Sequence, residues 1–262
     1  MLGAGWTEVA GFAAAFAIAV VATPAGISGA VLLLPFQVSV LGTPSPAVTP
    51  TNLLYNVVAT PGALYRYWRQ QQTGGHLALV LIAGTFPGVI AGSIIRVELL
   101  PGPMVFDLVV AAVLLPLGSW LALTRPAPEG RSRARRIRVP ALIVLSAAVG
   151  CVGGIYGIGG GSILAPILIG SGRPPREVAP AALASTFVTS LAGVITFTFL
   201  AIDRHGFVAP DWPTGIALGL GGLAGAYAGA SIQSRLPERL IRRIVGFLVI
   251  AIGARYLWSG LG

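Results

Sequence analysis

Residues 153–162 read Gly153-Gly154-Ile155-Tyr156-Gly157-Ile158-Gly159-Gly160-Gly161-Ser162, and they interrupt an apolar run of about residues 139–170. Residues 23–29 read Thr23-Pro24-Ala25-Gly26-Ile27-Ser28-Gly29, and they interrupt a second apolar run of about residues 9–41. Both runs exceed the ~20 residues of one helical membrane crossing. Glycine near the middle favours turns and left-handed backbone. The two stretches therefore predict broken membrane helices.

The composition indicates that the bilayer is the solvent for most of the chain. Of 262 residues, 55% are hydrophobic and 10% are charged, and the mean hydropathy is +0.85. Soluble domains carry about 25% charged residues. The 17 basic residues, all arginine, lie mainly in short segments between apolar runs, where they set topology and meet anionic headgroups. We therefore expect a lipid bilayer and no nucleic acid as a partner.

Six further apolar runs have lengths close to one membrane crossing. They lie at about 50–68, 76–95, 103–124, 178–201, 212–233 and 239–259. The sequence therefore predicts an all-α polytopic membrane protein, in a bacterial-type cell membrane.

The two broken runs open two related halves. Shifts of 131, 130 and then 137 residues superimpose ordered glycine, proline and apolar positions: Gly26, Gly29 and Pro35 on Gly157, Gly160 and Pro166; Val48, Pro50 and Leu53 on Val178, Pro180 and Leu183; Gly84, Gly88, Ala91 and Gly92 on Gly221, Gly225, Ala228 and Gly229. An ordered series of this kind indicates duplication. We predict an N-terminal repeat over 1–124 and a C-terminal repeat over 139–262, joined by a basic cytoplasmic linker over 125–138.

Arginine positions favour inverted repeats. If all eight runs cross once, the arginines divide 10 to 7 between the two membrane faces, a weak positive-inside bias. If the two broken runs return to the side they entered, the division is 14 to 3, with Arg96, Arg204 and Arg255 on the outer face. Each half then has a broken or re-entrant helix and three transmembrane helices, and both termini face outward. One long kinked crossing per broken run is the alternative.

Helix breaks at matching positions of two halves point to a transport site. A break frees backbone N–H groups and exposes the positive end of a half-helix, so it attracts anions. We expect both half-helices to begin at one central cavity and backbone amides, not a buried arginine, to hold the anion. The predicted lining residues are Gly26, Ser28, Gly29, Gly157, Gly159, Gly160, Gly161 and Ser162.

Polar residues on the following helix of each half are predicted to complete the site. Asn52 and Asn56 form one i, i+4 pair, and Ser185 and Thr189 form another, with Thr186 beside them. Neighbouring candidates are Thr51, Tyr55 and Ser190. Neutral donors suit an anion that must also leave. Alternatively, small and hydroxylated residues serve helix packing.

Residues 157–166, with the small and hydroxylated helix around Ala182–Ser190, resemble the TauE/SafE family of sulfite and organosulfonate exporters. Residues Gly26–Pro35 and the helix near Asn52 resemble the first-half counterpart. The resemblance implies a seven-to-eight-span permease that exports a small sulfur-containing anion such as sulfite or sulfoacetate. Ser28 and Ala30 depart from the glycine pattern of the second half, where Gly159 and Gly161 stand.

Other functions remain as alternatives. A permease for another small anion, such as a carboxylate, fits the same site, and a structural subunit of a larger complex is a further possibility. Gly26-Ile27-Ser28-Gly29 matches a rhomboid-type serine protease pattern, but His76 and His205 flank spans instead of lying within them, so no base is expected beside the serine. Asp107 is expected at the interface. We therefore expect no enzyme, no cofactor and no metal, and the oligomeric state stays open.

Overall fold

The computed structural model describes residues 4–99, 137–203 and 208–237, with scattered positions between 111 and 119 and between 240 and 258. In these ranges the chain is helical and contains no strand. The α-helices are α1 (Ala4–Ala22), α2 (Ala30–Ser39), α3 (Val48–Arg69), α4 (Gly75–Glu98), α5 (Val139–Tyr156), α6 (Gly161–Gly170), α7 (Pro175–Asp203) and α8 (Trp212–Ile232). The predicted all-α class is confirmed. The predicted spans 103–124 and 239–259, the linker 125–138 and Asp107 lie largely or wholly outside the described residues.

Four described helices are long and apolar enough to cross a membrane: Gly75–Glu98, Val139–Tyr156, Pro175–Ile202 and Trp212–Arg235. Helices α2 and α6 have 10 residues each, about 15 Å or half the hydrocarbon thickness. Helix α3 has 22 residues, but Asn52, Asn56 and several threonines on it are buried polar groups. Helix α3 therefore lies at membrane depth only because other helices surround it.

Both predicted helix breaks are present. The first follows a short 3-10 turn at Thr23–Ala25, where Gly26 has φ 74° and donates its N–H to Thr23 O at 2.8 Å. The second follows α5, where Gly157 has φ 80° and donates its N–H to Gly153 O at 2.8 Å. Left-handed backbone after the last helical residue favours glycine, and it ends a helix. These two glycines stop α1 and α5 inside the protein.

The chain folds back on itself at each break. A Cβ atom built on Gly160 would lie 3.1 Å from the Cα of Gly150, and one built on Gly153 would lie 2.8 Å from the carbonyl carbon of Gly159. In a continuous helix, residues 150 and 160 would be about 15 Å apart. In the first break, a Cβ on Gly29 would lie 3.3 Å from Ile18 Cγ2. Both broken runs therefore return alongside themselves, and the single kinked crossing is wrong.

Glycine ladders pack helices of one half against helices of the other. On α4, Gly84, Gly88 and Gly92 face the carbonyl oxygens of Ile143, Ala147 and Cys151 on α5. On α8, Gly221, Gly225 and Gly229 face those of Phe12, Phe16 and Val20 on α1. Each ladder advances in the same direction along both helices, so α4 is parallel to α5 and α8 is parallel to α1. Small residues allow this close approach in membranes.

Two further contacts fix the directions of α3 and α7. Helix α3 is parallel to α8, because Leu54, Val58 and the glycine at 62 meet residues 215, 219 and 223 in that order. Helix α7 is parallel to α4, because Ser185 contacts Thr85 and Gly193 lies next to Val89. The short connection over 70–74 makes α3 and α4 antiparallel. Helices α3 and α7, which pack against each other, are therefore antiparallel.

Candidate functional site

The two helix breaks meet in the interior of the protein. The backbone N–H of Ser28 donates to Ser162 Oγ at 3.1 Å, and the Oγ atoms of the two serines lie 3.0 Å apart. Ser162 Oγ is also 3.3 Å from Thr186 Oγ1 on α7. All three residues are buried. One polar cluster thus joins the first break, the second break and the neighbouring helix.

Two half-helices begin at this cluster. Gly29 is the N-cap residue of α2, and Gly160 is the N-cap residue of α6. Within the described part of the chain, neither helix receives a side-chain hydrogen bond at its cap. A helix N-terminus carries about +0.5 elementary charge from its free N–H groups. Two positive helix ends therefore lie at the buried centre.

The two asparagines of α3 have different surroundings. Asn52 donates from Nδ2 to Ala30 O at 3.0 Å and accepts at Oδ1 from Gln37 Nε2 at 2.8 Å, which ties α3 to α2. Asn56 is 0% exposed, and neither its Nδ2 nor its Oδ1 finds a hydrogen-bond partner among the described residues. A buried amide without partners is unusual and requires an explanation, such as a water or a ligand.

The hydroxyl groups of α7 also divide into bonded and unbonded. Ser185 Oγ lies 2.8 Å from Thr85 Oγ1 on α4, and Thr189 donates to Ser185 O at 2.7 Å within its own helix. Ser190 is buried, and its Oγ has no partner in the described ranges. The sequence analysis did not identify Thr85, because its counterpart in the second half is a glycine and the repeat gave no polar signal there.

The glycines of the breaks are packed tightly against other helices. A Cβ on Gly26 would lie 2.7 Å from Ala179 Cα, and one on Gly157 would lie 2.5 Å from Thr49 O. Cβ atoms on Gly161 and Gly29 would overlap Ala182 O and the Tyr55 hydroxyl. A Cβ on Gly160 would lie 2.5 Å from Thr85 Cγ2. In this conformation these glycines provide close helix packing.

A buried arginine corrects one expectation. The sequence analysis placed Arg96 in an outer loop, but α4 continues to Glu98 and Arg96 is 0% exposed. Its Nε donates to Thr49 Oγ1 at 3.3 Å, and its Nη2 donates to Ser45 Oγ. Hydroxyl groups at the start of α3 solvate the guanidinium, so it enters the interior. The repeat offered a signal, since the position 137 residues later is Gln233, which is buried and donates to Pro24 O at 2.7 Å.

Known proteins with related sequences are membrane transporters. The chain is 28% identical over 248 residues to a "Probable membrane transporter protein" of Xylella fastidiosa (strain 9a5c), covering 89% of this chain and 88% of that protein. It is 28% identical over 120 residues to "Probable membrane transporter protein YunE" of Bacillus subtilis (strain 168), covering 45% of this chain and 41% of that protein. A 72-residue match at 31% identity to "Sulfite exporter TauE/SafE family protein 5" of Arabidopsis thaliana covers 28% of this chain and 15% of that protein.

No solved structure matches the chain. The family model described as "Sulfite exporter TauE/SafE" matches residues 11–256. Transport, not catalysis, is the activity of this family. The chain therefore belongs to the TauE/SafE family, and it is a membrane transporter of the cell membrane.

Proposed function

We propose that this transporter exports a small sulfur-containing anion, such as sulfite, sulfoacetate or a related organosulfonate, through the place where the two helix breaks meet. The observation that carries the proposal is the contact between Ser28 and Ser162, which are 134 residues apart and come from different breaks. The family description supports the substrate class.

The chemistry of the site suits weak anion binding. The positive N-termini of α2 and α6 attract negative charge, and hydroxyl and amide groups add neutral donors. Asn52, Ser185 and Thr189 hold helices together here, whereas Asn56 is unpaired among the described residues. The proposed lining comprises Gly26, Ser28, Gly29, Asn52, Asn56, Gly157, Gly159, Gly160, Gly161, Ser162, Ser185, Thr186 and Thr189.

The site belongs to two inverted repeats, over 1–124 and 139–262, in this proposal. Three observations support it. The α4–α5 and α8–α1 glycine ladders use positions related by the same shifts, 137 and 131 residues, that superimpose the two halves. Gly26 contacts Ala179 and Gly157 contacts Thr49, which are also equivalent pairs. Helix α1 is parallel to α8 and α3, whereas α5 is parallel to the oppositely directed α4.

The close packing of both breaks corresponds to an occluded conformation in this proposal. Transport then requires that α2 or α6 move away from the helix of the other half that covers it. In inverted-repeat transporters, one unit rocks against the other around a fixed site, which makes such movement available.

Flux measurements test the proposed function. Purified protein in proteoliposomes is assayed for counterflow of sulfite, sulfoacetate, thiosulfate, sulfate, phosphate and acetate, with empty liposomes as the control. We expect saturable flux of sulfite or sulfoacetate. Acetate as the preferred solute would replace the proposal by a carboxylate permease, and the absence of flux for every anion would refute it.

A further inference from the structure

We infer that Asn56 and Ser190 form the ligand-contacting pair of this transport site, and that their ligand is a singly charged oxyanion that retains a proton, of which hydrogensulfite is the simplest example. This inference rests on the proposed function, and it narrows the substrate class. It assigns Ser190 and a specific protonation state, neither of which follows from the family.

Both side chains are buried without partners. Asn56 and Ser190 are each 0% exposed, and Nδ2, Oδ1 and Oγ of the pair find no hydrogen-bond partner in the described part of the chain. Their neighbours on the same helices are satisfied, since Thr60 donates to Asn56 O and Thr189 donates to Ser185 O, each at 2.7 Å. Unsatisfied buried groups in an otherwise bonded region indicate a missing water or ligand.

The antiparallel arrangement of α3 and α7 places the pair at one depth. A Cβ on Gly193 of α7 would lie 2.6 Å from Leu53 Cδ1 of α3, so these two positions are level. Three residues forward on α3 is Asn56, and three residues back on α7 is Ser190. Each step moves about 4.5 Å along its helix axis. Because the helices run in opposite directions, the two steps end at the same level.

Each member of the pair faces one helix break. A Cβ on Gly159, in the second break, would lie 3.0 Å from Ser190 Oγ. On α3, Asn52 donates to Ala30 O, and Asn56 lies one turn further along the same face. The chain preceding Ala30 folds back in that direction, so Asn56 is level with Ser28 and Gly29. The pair therefore lies between the uncapped N-termini of α2 and α6.

The free hydrogen-bonding atoms define the ligand. Asn56 Nδ2 and Ser190 Oγ supply donors for anionic oxygens. Asn56 Oδ1 is an acceptor, so a fully matched ligand must also present a donor. Exchange of the amide nitrogen and oxygen assignments changes nothing, because both atoms lack partners. Hydrogensulfite has negative oxygens and one proton, whereas sulfate and sulfonates have no proton to donate at neutral pH.

Competition against the wild-type transporter tests the ligand. Counterflow of radiolabelled sulfite is competed with unlabelled sulfite, sulfate and methanesulfonate at about pH 6 and about pH 8. We expect sulfite at the lower pH to compete at least about tenfold better than methanesulfonate, which has the same charge and no proton, because an unmatched buried acceptor strongly penalises a ligand. We also expect sulfite to compete less well at the higher pH, where it loses its proton.

Equal competition by methanesulfonate, or stronger competition by sulfate, would overturn the inference while leaving anion transport intact. No sulfite counterflow under any condition would refute the proposed function itself. The two failures are therefore distinguishable without any variant.

Substitutions test the residue pair. Ser190→Ala and Asn56→Leu are each expected to weaken sulfite competition about fivefold to tenfold and to reduce the preference over methanesulfonate. Asn56→Asp places a negative charge at the ligand and is expected to abolish sulfite flux. Ser146→Ala is the matched control, because Ser146 is a buried hydroxyl without a partner in the described ranges, on α5 against Gly84. Folded variants, judged by unaltered thermal unfolding, with wild-type preference would overturn the assignment.

Discussion

Ser162 connects the two helix breaks through one hydroxyl group. Ser162→Ala removes the acceptor for the Ser28 N–H and leaves that donor buried, which costs about 1–3 kcal/mol. We expect a lower thermal unfolding midpoint and reduced sulfite flux. Ser171→Ala is the control, because Ser171 is only partly buried and its hydroxyl bonds to Leu168 O in the last turn of α6. Equal effects of the two substitutions would contradict a special role for Ser162.

Arg96 provides a second test at the level of a single residue. Its guanidinium bonds to two hydroxyl groups at the start of α3, and hydrogen bonds to charged groups contribute about 1.5–3 kcal/mol each. We expect Arg96→Leu to destabilise the protein strongly in denaturant unfolding. Arg96→Gln should be tolerated better, because glutamine occupies the equivalent position 233 and forms a hydrogen bond there.

An exposed arginine on α3 separates burial from charge. Arg69 is exposed and donates to the Tyr65 hydroxyl at 3.4 Å, a long surface contact. Arg69→Leu is expected to change the free energy of unfolding by less than about 1 kcal/mol. If Arg69→Leu and Arg96→Leu destabilise the protein equally, the buried contacts of Arg96 contribute nothing specific.

The glycine ladders determine helix packing at the level of elements. A Cβ on Gly88 would overlap Ala147 O, and one on Gly225 would overlap Phe16 O. Overpacking of this kind typically costs about 1–3 kcal/mol. We therefore expect Gly88→Ala and the equivalent Gly225→Ala to lower the thermal unfolding midpoint by similar amounts. Ala91→Leu, on the exposed face of α4, is the matched control and should leave the midpoint unchanged.

The sequence predicted elements better than their partners. Glycine runs identify Gly26 and Gly157 because left-handed backbone is a local requirement, readable from residue type. The folding back at each break was favoured by arginine positions alone. The pairing of α4 with α5 and of α8 with α1 was not predicted, because it depends on contacts between halves that no local pattern encodes. The hydrogen bonds of Thr85 and the burial of Arg96 are long-range in the same sense.

Candidate site residues divide along the same line. The i, i+4 spacing placed Asn52 and Asn56 on one face correctly, but the spacing could not show that Asn52 is bonded to α2 while Asn56 is unpaired within the described residues. That difference depends on where the folded-back chain places Ala30 and Gln37. Patterns within a helix therefore located the polar face, and packing between helices decides which of its members are free for a ligand.

The whole molecule makes a prediction about topology. Inverted repeats with both broken runs folding back place the loop over 70–74 on the cytoplasmic face and the loop over 40–47 on the outer face, which accords with the positive-inside rule. Single cysteines at Thr73 and Val40, both exposed, are introduced into a Cys151→Ala background. We expect a membrane-impermeant maleimide to label Val40→Cys in intact cells and Thr73→Cys only in inverted vesicles.

The Cys151→Ala background alone is the labelling control, and retained sulfite flux shows that each variant is folded. The positions discriminate because the α3 helix separates them, so they lie on opposite faces if α3 crosses once. Labelling of both from the same side would contradict a crossing by α3. The reverse pattern, with Thr73→Cys labelled from outside, would retain the duplicated contacts but reverse the orientation. The arginine-rich linker over 125–138 would then face outward, against the charge bias that the arginine positions favour.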